Sequence, residues 1–461
     1  MKITLTQHQR GVFEEIVTII EGSLFTFYKS KDIKDRILSL TGQAGTGKSV
    51  LTTHIAKYII AKLKENNCYS NDSIVLSAPT HKATKVLRDM ILTEDVEAEC
   101  KTIHSFLGIE PIYNFMTGEE KYTVVRGKQA PATASLLIVD ESSMISHEIY
   151  KFILETVTTG RVNTVLFIGD PFQLLPVGSN NKENDVFKLE KQFQLTQIVR
   201  QAENSPIIKL ATKIRNMIES QEFTSLNDLL EESKSEDIEL FDNREEFLED
   251  FYKKDQWYKD DKIISSFANK QVDTFNTDIR VEFWKERGIV NPTHFLPSDM
   301  VRFKSALIEN GLFKDNNRTI YNNNDEVMLN SVELIDHKDT GLKFWKCTVV
   351  GRKHSDFIRI IDPDSILLYN EKLEGMANIA KSANHHYRAQ FWKDYYQFKN
   401  AFANVQYVFA STIHKLQGST FDVAYTDFSS LVNNDMLTND QKYRLAYVAV
   451  TRARNKVKIL Y

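Results

Sequence analysis

GQAGTGKS, Gly42 to Ser49, is the stretch whose reading decides the fold of this 461-residue chain. It matches G-x4-G-K-[ST] and stands between an apolar run, ILSLT, and a helical stretch, GKSVLTTHIAKYIIAKL. That is where a phosphate-binding loop must stand to work. The glycines Gly42, Gly45 and Gly47 permit backbone conformations that turn consecutive amides, Thr46 among them, toward phosphate oxygens, and the helix that follows adds the positive end of its dipole. Lys48 is expected to reach the β and γ phosphates of ATP, and the Ser49 hydroxyl to ligate Mg2+.

Outward from this loop, residues 37 to 200 alternate short apolar runs with helical stretches: ILSLTG, SIVLSAP, SLLIVDE and TVLFIGD. Apolar runs of about five residues with helices between them read as buried parallel strands of a doubly wound sheet. The strand SLLIVDE delivers Asp140 and Glu141 to its carboxyl end, where ligands bind in open α/β sheets. Asp140 can hold Mg2+ through its hydration shell, and Glu141 can orient and activate the attacking water. TVLFIGDPFQLLPV ends in Gly169-Asp170 and carries Gln173 just beyond, within reach of a γ-phosphate if this strand lies beside the one bearing Asp140.

Between His104 and Ser135 the rhythm breaks into IYNFMTGEEKYTVV, two alternating segments about a turn at Thr117-Gly118, which predicts a small hairpin. A second set of strands is expected at DKIISSFANK (261 to 270), NVQYVFAST (404 to 412), FDVAYTDF (421 to 428) and KVKILY (456 to 461). An insertion of roughly 285 to 400 splits that set. Within it VMLNSVELI, LKFWKCTVVGR and DSILLYN read as strands of a small β-barrel, and HHYRAQFWKDYYQFKNAF as an aromatic, basic helix. Those aromatics either pack between domains or form a nucleobase platform.

Composition excludes several classes. Hydrophobic residues at 42% and charged residues at 26% suit a globular chain of more than one domain. No run approaches the ~18 apolar residues that span a membrane, and MKITLTQHQRGVFEEI lacks the apolar core of a secretory signal, so a cytoplasmic protein is expected. Cys68, Cys100 and Cys347 are too scattered for a disulfide framework or a zinc cluster. The net charge of -4 means that nucleic acid would have to be held by a locally basic groove, or by amides, hydroxyls and stacking.

SAPTHKAT (77 to 84), KTIHSF (101 to 106), GDPFQLLPV (169 to 177), LTQIVRQ (195 to 201), ASTIHKLQGST (410 to 420) and YVAVTRAR (447 to 454) resemble motifs Ia, Ib, III, IV, V and VI of superfamily 1 helicases. Within that superfamily the chain is similar to the Dda helicases of large bacteriophages and, more distantly, to RecD-like enzymes. LTQHQ near the start resembles the Q motif, which makes Gln9 the candidate for reading adenine. The resemblance implies an α/β fold of two RecA-like P-loop domains, with a β-hairpin insertion in the first and a β-barrel plus helical insertion in the second. The motor domains would comprise 1-104 with 135-200 and 201-284 with 401-461, and the insertions 105-134 and 285-400.

By the same resemblance, ATP lies between the motor domains and single-stranded DNA across their top. Arg200 and Arg452 would reach the γ-phosphate as arginine fingers, with Gly418 beside the nucleotide. A planar, permanent cation that arrives on closure suits the charge on a transferring phosphoryl group. The strand-contacting set would be Pro79, Thr80, His81, Thr102, His104, Thr412, His414 and Lys415. Hydroxyls and amides contact phosphates without reading bases, and imidazole can bond phosphate or stack. Thr-x-His recurs at Thr102 to His104 and Thr412 to His414, once in each half, as a two-grip translocator requires. At the hairpin Tyr113, Phe115 and Tyr122 compete for the role of strand-separating wedge.

The expected activity is that of an ATP-dependent DNA helicase, 5′ to 3′ by resemblance, working on single-stranded and fork DNA as a monomer beside a single-strand-binding or replisome protein. The alternative is a P-loop ATPase that remodels or clamps without separating strands.

Overall fold

The computed structural model describes residues 4–25, 32–70, 73–124, 133–176, 184–198, 205–309, 318–351 and 356–461. The chain forms two compact units: Met1–Ile109 with Val124–Ala268 and Thr412–Tyr461, and Glu110–Thr123 with Asn269–Ser411.

The first unit holds two parallel sheets. Strands β1 (Ile37–Gly42), β2 (Ile74–Ala78), β3 (Glu99–Thr102), β4 (Ala134–Val139), β5 (Val162–Gly169) and β6 (Gln192–Leu195) lie in the order β3-β2-β4-β5-β1-β6. Side-chain parity along these strands splits the core onto two faces. Leu38, Leu40, Leu76, Leu136, Ile138, Leu166 and Ile168 pack with Ile16, Ile20, Leu51 and Ile55 on one face. Ile37, Val75, Leu137, Val139, Val165 and Phe167 pack with Phe106, Ile153 and Val157 on the other. Burial on both faces is why the strands read as unbroken apolar runs. β4 and β5 are neighbours with Val139 opposite Phe167, so the ends that carry Asp140 and Asp170 emerge side by side, as the sequence required.

Strands β7 (Ile238–Phe241), β8 (Lys262–Ser266), β9 (Phe421–Asp427) and β10 (Ala453–Leu460) are four of the five strands of the second sheet, in the order β8-β9-β10-β7, each parallel to its neighbour. Its core contains Leu210, Ile214, Leu230, Phe428, Tyr443, Tyr447, Val450 and Ile459, together with Leu174 from the loop after β5. That loop of the first half is thereby embedded in the second.

In the other unit, Phe357–Ile361, Leu342–Val349, Glu326–His337, Met300–Phe303 and Val405–Tyr407 form an antiparallel sheet in that order. The Ala403 N–H donates to the Arg359 carbonyl at 2.7 Å, joining the segment that enters the last strand to the first. Ile109–Asn114 and Glu119–Val124 form the expected hairpin.

Two expectations for this region are corrected. DSILLYN is not a strand: Asp362 accepts the Asp364 N–H, Pro363 starts a turn, and helix Ile366–Ser382 runs from there. Proline at a first turn followed by EKLEGMANIAK outweighs the β preference of three apolar residues. NVQYVFAST is not one strand but two, Val405–Tyr407 and Ala410–Thr412. The Asn276 amide accepts the Ala410 N–H at 2.7 Å and donates to the Ala410 carbonyl at 3.2 Å, so a side chain takes up backbone groups that a continuous ladder would use.

Candidate nucleotide cleft and strand-contacting residues

β1 ends at Gly42 and helix Lys48–Glu65 begins six residues on. Gly47, at φ 82°, caps that helix without a side-chain bond, leaving the first-turn amides to a ligand. The loop is held in shape from within. The Lys48 Nζ donates to the carbonyls of Gly42 at 2.5 Å and Gln43 at 3.1 Å, and the Thr46 hydroxyl donates to the Gln43 carbonyl at 2.9 Å. Gln9, expected to read adenine, is buried against the loop. Its Nε2 donates to the Thr46 carbonyl at 3.0 Å and its Oε1 accepts the Thr6 N–H at 3.0 Å, so it joins helix Gln7–Phe25 to the phosphate-binding turn. A Cβ on Gly47 would come within 2.4 Å of that Nε2, which is why glycine is needed there.

At the end of β4 the Asp140 carboxylate accepts the Glu141 N–H at 2.8 Å. Glu141 stands in the left-handed region, φ 50° and ψ 39°, a conformation disfavoured for a side chain of its size and typical of functional sites. Burial raises the Asp140 carboxyl, against the pull of the Glu141 N–H and Lys48. Burial first and the Asp140 charge second push Glu141 up to about 7, while Arg452 and Lys48 draw it down. Two carboxylates raised by burial, with the exposed Ser49 hydroxyl at the adjoining helix start, are the hard oxygen donors Mg2+ prefers, and a divalent cation would relieve the cost of their charge.

The second half reaches this site through residues that carry no flag as isolated letters. The Gln417 Nε2 donates to the Ser143 Oγ and to the Gln173 Oε1, each at 2.9 Å and buried. Arg444 donates to the carbonyls of Pro171 and Gln173 at 2.6 and 2.9 Å while paired with Asp440. The Tyr447 hydroxyl donates to Asp170 at 2.7 Å. Thus the loop bearing Gln173 is gripped along its length. A Cβ at Gly418 would lie 3.4 Å from the Glu141 Oε1, so this glycine borders the Glu141 carboxylate. Arg452 is buried, donates to the carbonyls of Val448 and Ser419 at 2.9 Å each, and lies within the field of Glu141. Arg200 lies outside the described residues. Gln417, Arg444 and Tyr447 fall in or beside quoted motifs, and the i,i+3 spacing of the last two puts them on one helix face; that spacing was the available signal.

The strand-contacting candidates share one local design. Thr80, Thr102 and Thr412 each N-cap a helix, accepting the N–H of Ala83, Ser105 and Lys415 at 3.1, 3.2 and 3.4 Å. A capping hydroxyl still has a proton to donate to phosphate. His81 and Lys415 stand in the first turns of helices His81–Thr93 and Ile413–Leu416. Pro79, His104 and His414 line one cavity of about 220 Å³ with Met144, Leu174 and Gln417. Burial lowers both imidazoles, His81 adding to the effect at His104, so both are neutral near pH 7 and suited to stacking or neutral hydrogen bonding.

Residues 29–179 match the AAA domain family and residues 407–460 the UvrD-like helicase C-terminal domain. The ATP-dependent DNA helicase dda of Enterobacteria phage T4 is 28% identical over 490 residues, covering 98% of each chain. Over its whole length the chain is thus similar to a Dda helicase of superfamily 1. The ATP-dependent RecD2 DNA helicase of Deinococcus radiodurans is 32% identical over 38% of this chain and 21% of its own length. The ATP-dependent DNA helicase PIF1 of Emericella nidulans is 28% identical over 33% of this chain and 20% of its own.

In this helicase the hairpin is docked on the aromatic helix His385–Asn400. The Tyr396 hydroxyl donates to the Gly118 carbonyl at 2.8 Å, and the Phe115 ring meets that of Tyr396 edge-on at 6.3 Å, with the Lys393 ammonium 5.7 Å from its centroid. Phe115, one of the three wedge candidates, is half-buried and packs with Trp392 and Tyr396. The side chains of Tyr113 and Tyr122 lie outside the described residues. Of the two readings of the aromatic helix, packing is what Trp392 and Tyr396 do.

Proposed function

We propose that this helicase uses ATP with Mg2+ to step along single-stranded DNA from 5′ to 3′ and to separate duplex DNA at a fork, in replication, recombination or repair. The observation that carries the reading is the Gln417 amide. It bonds Ser143, beside Glu141, and Gln173 at once, and it lies three residues from His414 on the cavity that His104 also lines. A change at the γ-phosphate is thus one side chain away from the strand-contacting surface.

Mg2+ bound by Ser49 and Asp140 would neutralise charge on the phosphates. Lys48 leaves the loop carbonyls for the β and γ phosphates, and Glu141 orients and accepts a proton from the attacking water. Arg452, with Arg200, stabilises the transferring group as the halves close. Closure is favoured by ATP and lost on product release, a population shift that lets the Thr102–His104 and Thr412–His414 grips slide in turn. The protein acts in the cytoplasm as a monomer beside a single-strand-binding or replisome protein.

Two partial duplexes test this, one with a 5′ and one with a 3′ single-stranded tail. ATP-dependent displacement from the 5′-tailed substrate alone is expected. Displacement from the 3′-tailed substrate would reverse the polarity, and DNA-stimulated ATP hydrolysis with no displacement from either would leave a remodelling ATPase.

A further inference from the structure

Arg215 belongs to none of the motifs above. It projects from helix Pro206–Ser220 of the second half, yet its Nη1 donates to the Gln43 Oε1 in the phosphate-binding loop at 3.3 Å. Its guanidinium carbon lies 4.6 Å from the centroid of Phe172, in the loop that carries Gln173. The side chain is 17% exposed, its Nε is buried with no hydrogen-bond partner among the described residues, and its ion pair there is a distant one, 4.0 Å to a Glu219 that is 61% exposed. An enclosed cation so weakly matched by carboxylate complements an anion nearby, and the phosphate-binding loop is where one arrives.

We propose that Arg215 is a positioning residue of the ATPase cycle: it holds Gln43, and with it the phosphate-binding loop, in the conformation that accepts ATP. Gln43 is fixed twice. Its carbonyl accepts from Lys48 at 3.1 Å and Thr46 at 2.9 Å, while its side chain accepts from Arg215. Without Arg215 the second half loses its hold on that residue, and Phe172 loses the planar cation over its ring. Arg215 acts through Gln43 rather than on the reacting phosphoryl group, so its removal affects how well nucleotide binds and not how fast bound ATP reacts.

The experiment measures steady-state ATP hydrolysis at saturating oligothymidine, together with the Kd of a fluorescent ADP, for Arg215→Ala, Arg215→Lys, Gln43→Ala and the Arg215→Ala/Gln43→Ala double variant. For Arg215→Ala, KM and Kd should rise ~5- to 10-fold with kcat within ~2-fold, the pattern of lost ground-state binding. Lysine should not restore either, because it brings a point charge without the planar fork that stacks and donates. Gln43→Ala should match Arg215→Ala, and the double variant should be no worse than either single one. Gln43→Ala removes a half-buried loop side chain and keeps the test alive if Arg215→Ala fails to fold. A fall of ~100-fold in kcat at unchanged KM would make Arg215 a phosphate-contacting finger instead. Full rescue by lysine, additive effects in the double variant, or parental KM and Kd in Gln43→Ala would each overturn the proposal.

Discussion

Replacing Gly118 with alanine should separate strand opening from ATP hydrolysis. Gly118 has φ 75°, and a Cβ there would lie 2.1 to 2.4 Å from three ring carbons of Trp392, a buried residue that has nowhere to retreat. The left-handed backbone costs alanine ~1 to 2 kcal/mol. Displacing the tip also breaks the bond from the Tyr396 hydroxyl to the Gly118 carbonyl, worth ~0.5 to 1.5 kcal/mol, and loosens the Phe115–Tyr396 contact, worth ~0.5 to 1.5 kcal/mol. Together these weaken docking by ~2 to 5 kcal/mol, and the lower bound already shifts a docked-undocked equilibrium ~30-fold. The hairpin belongs to a different compact unit from the nucleotide cleft, so oligothymidine-stimulated ATP hydrolysis should stay within ~2-fold of the parent while strand displacement from a 5′-tailed duplex falls at least ~10-fold. Tyr396→Phe, which removes only the hydrogen bond, should lie between. If Gly118→Ala unwinds at the parental rate, the docked hairpin is not the element that holds the strands apart.

Lys48→Ala and Glu141→Gln should fail differently, the first losing nucleotide affinity in a fluorescent-ADP titration, the second binding nucleotide normally while turnover falls; equal loss of binding would undo that division of roles. Arg452→Ala should slow DNA-stimulated turnover ~10³-fold with nucleotide-free DNA binding nearly intact, and because it removes the buried bonds to the carbonyls of Val448 and Ser419 it should also lower stability by ~1 to 3 kcal/mol, read from the thermal midpoint. The strand affinity should be flat between about pH 7 and 8.5, since the pKa values of His104 and His414 are lowered by burial and both rings are already neutral there. An affinity that drops steadily across that range would mean imidazolium grips on phosphate.

Local sequence determined the parts whose chemistry is local. GQAGTGKS between an apolar strand and a helix, and SLLIVDE ending in Asp140-Glu141, were legible because a phosphate loop and a buried parallel strand are each specified within about ten residues. Thr102 and Thr412 were recognisable as twins because Thr-x-His recurs around each, and a helix cap is a three-residue event. Tertiary structure alone decided what meets across the chain. Nothing near Arg215 in sequence marks it, because its partners Gln43 and Phe172 lie far from it along the chain and are brought to it by the packing of the second half against the loop after β5. Likewise the contact that half-buries Phe115 is with Trp392 and Tyr396, nearly three hundred residues away, and nothing in its hairpin alone foretells it. Short apolar runs such as DSILLYN and NVQYVFAST were misread for the same reason. A strand is defined by the neighbours that satisfy its backbone, and NVQYVFAST breaks into Val405–Tyr407 and Ala410–Thr412 where the side chain of Asn276 takes up the N–H and carbonyl of Ala410, which only the folded chain puts in place.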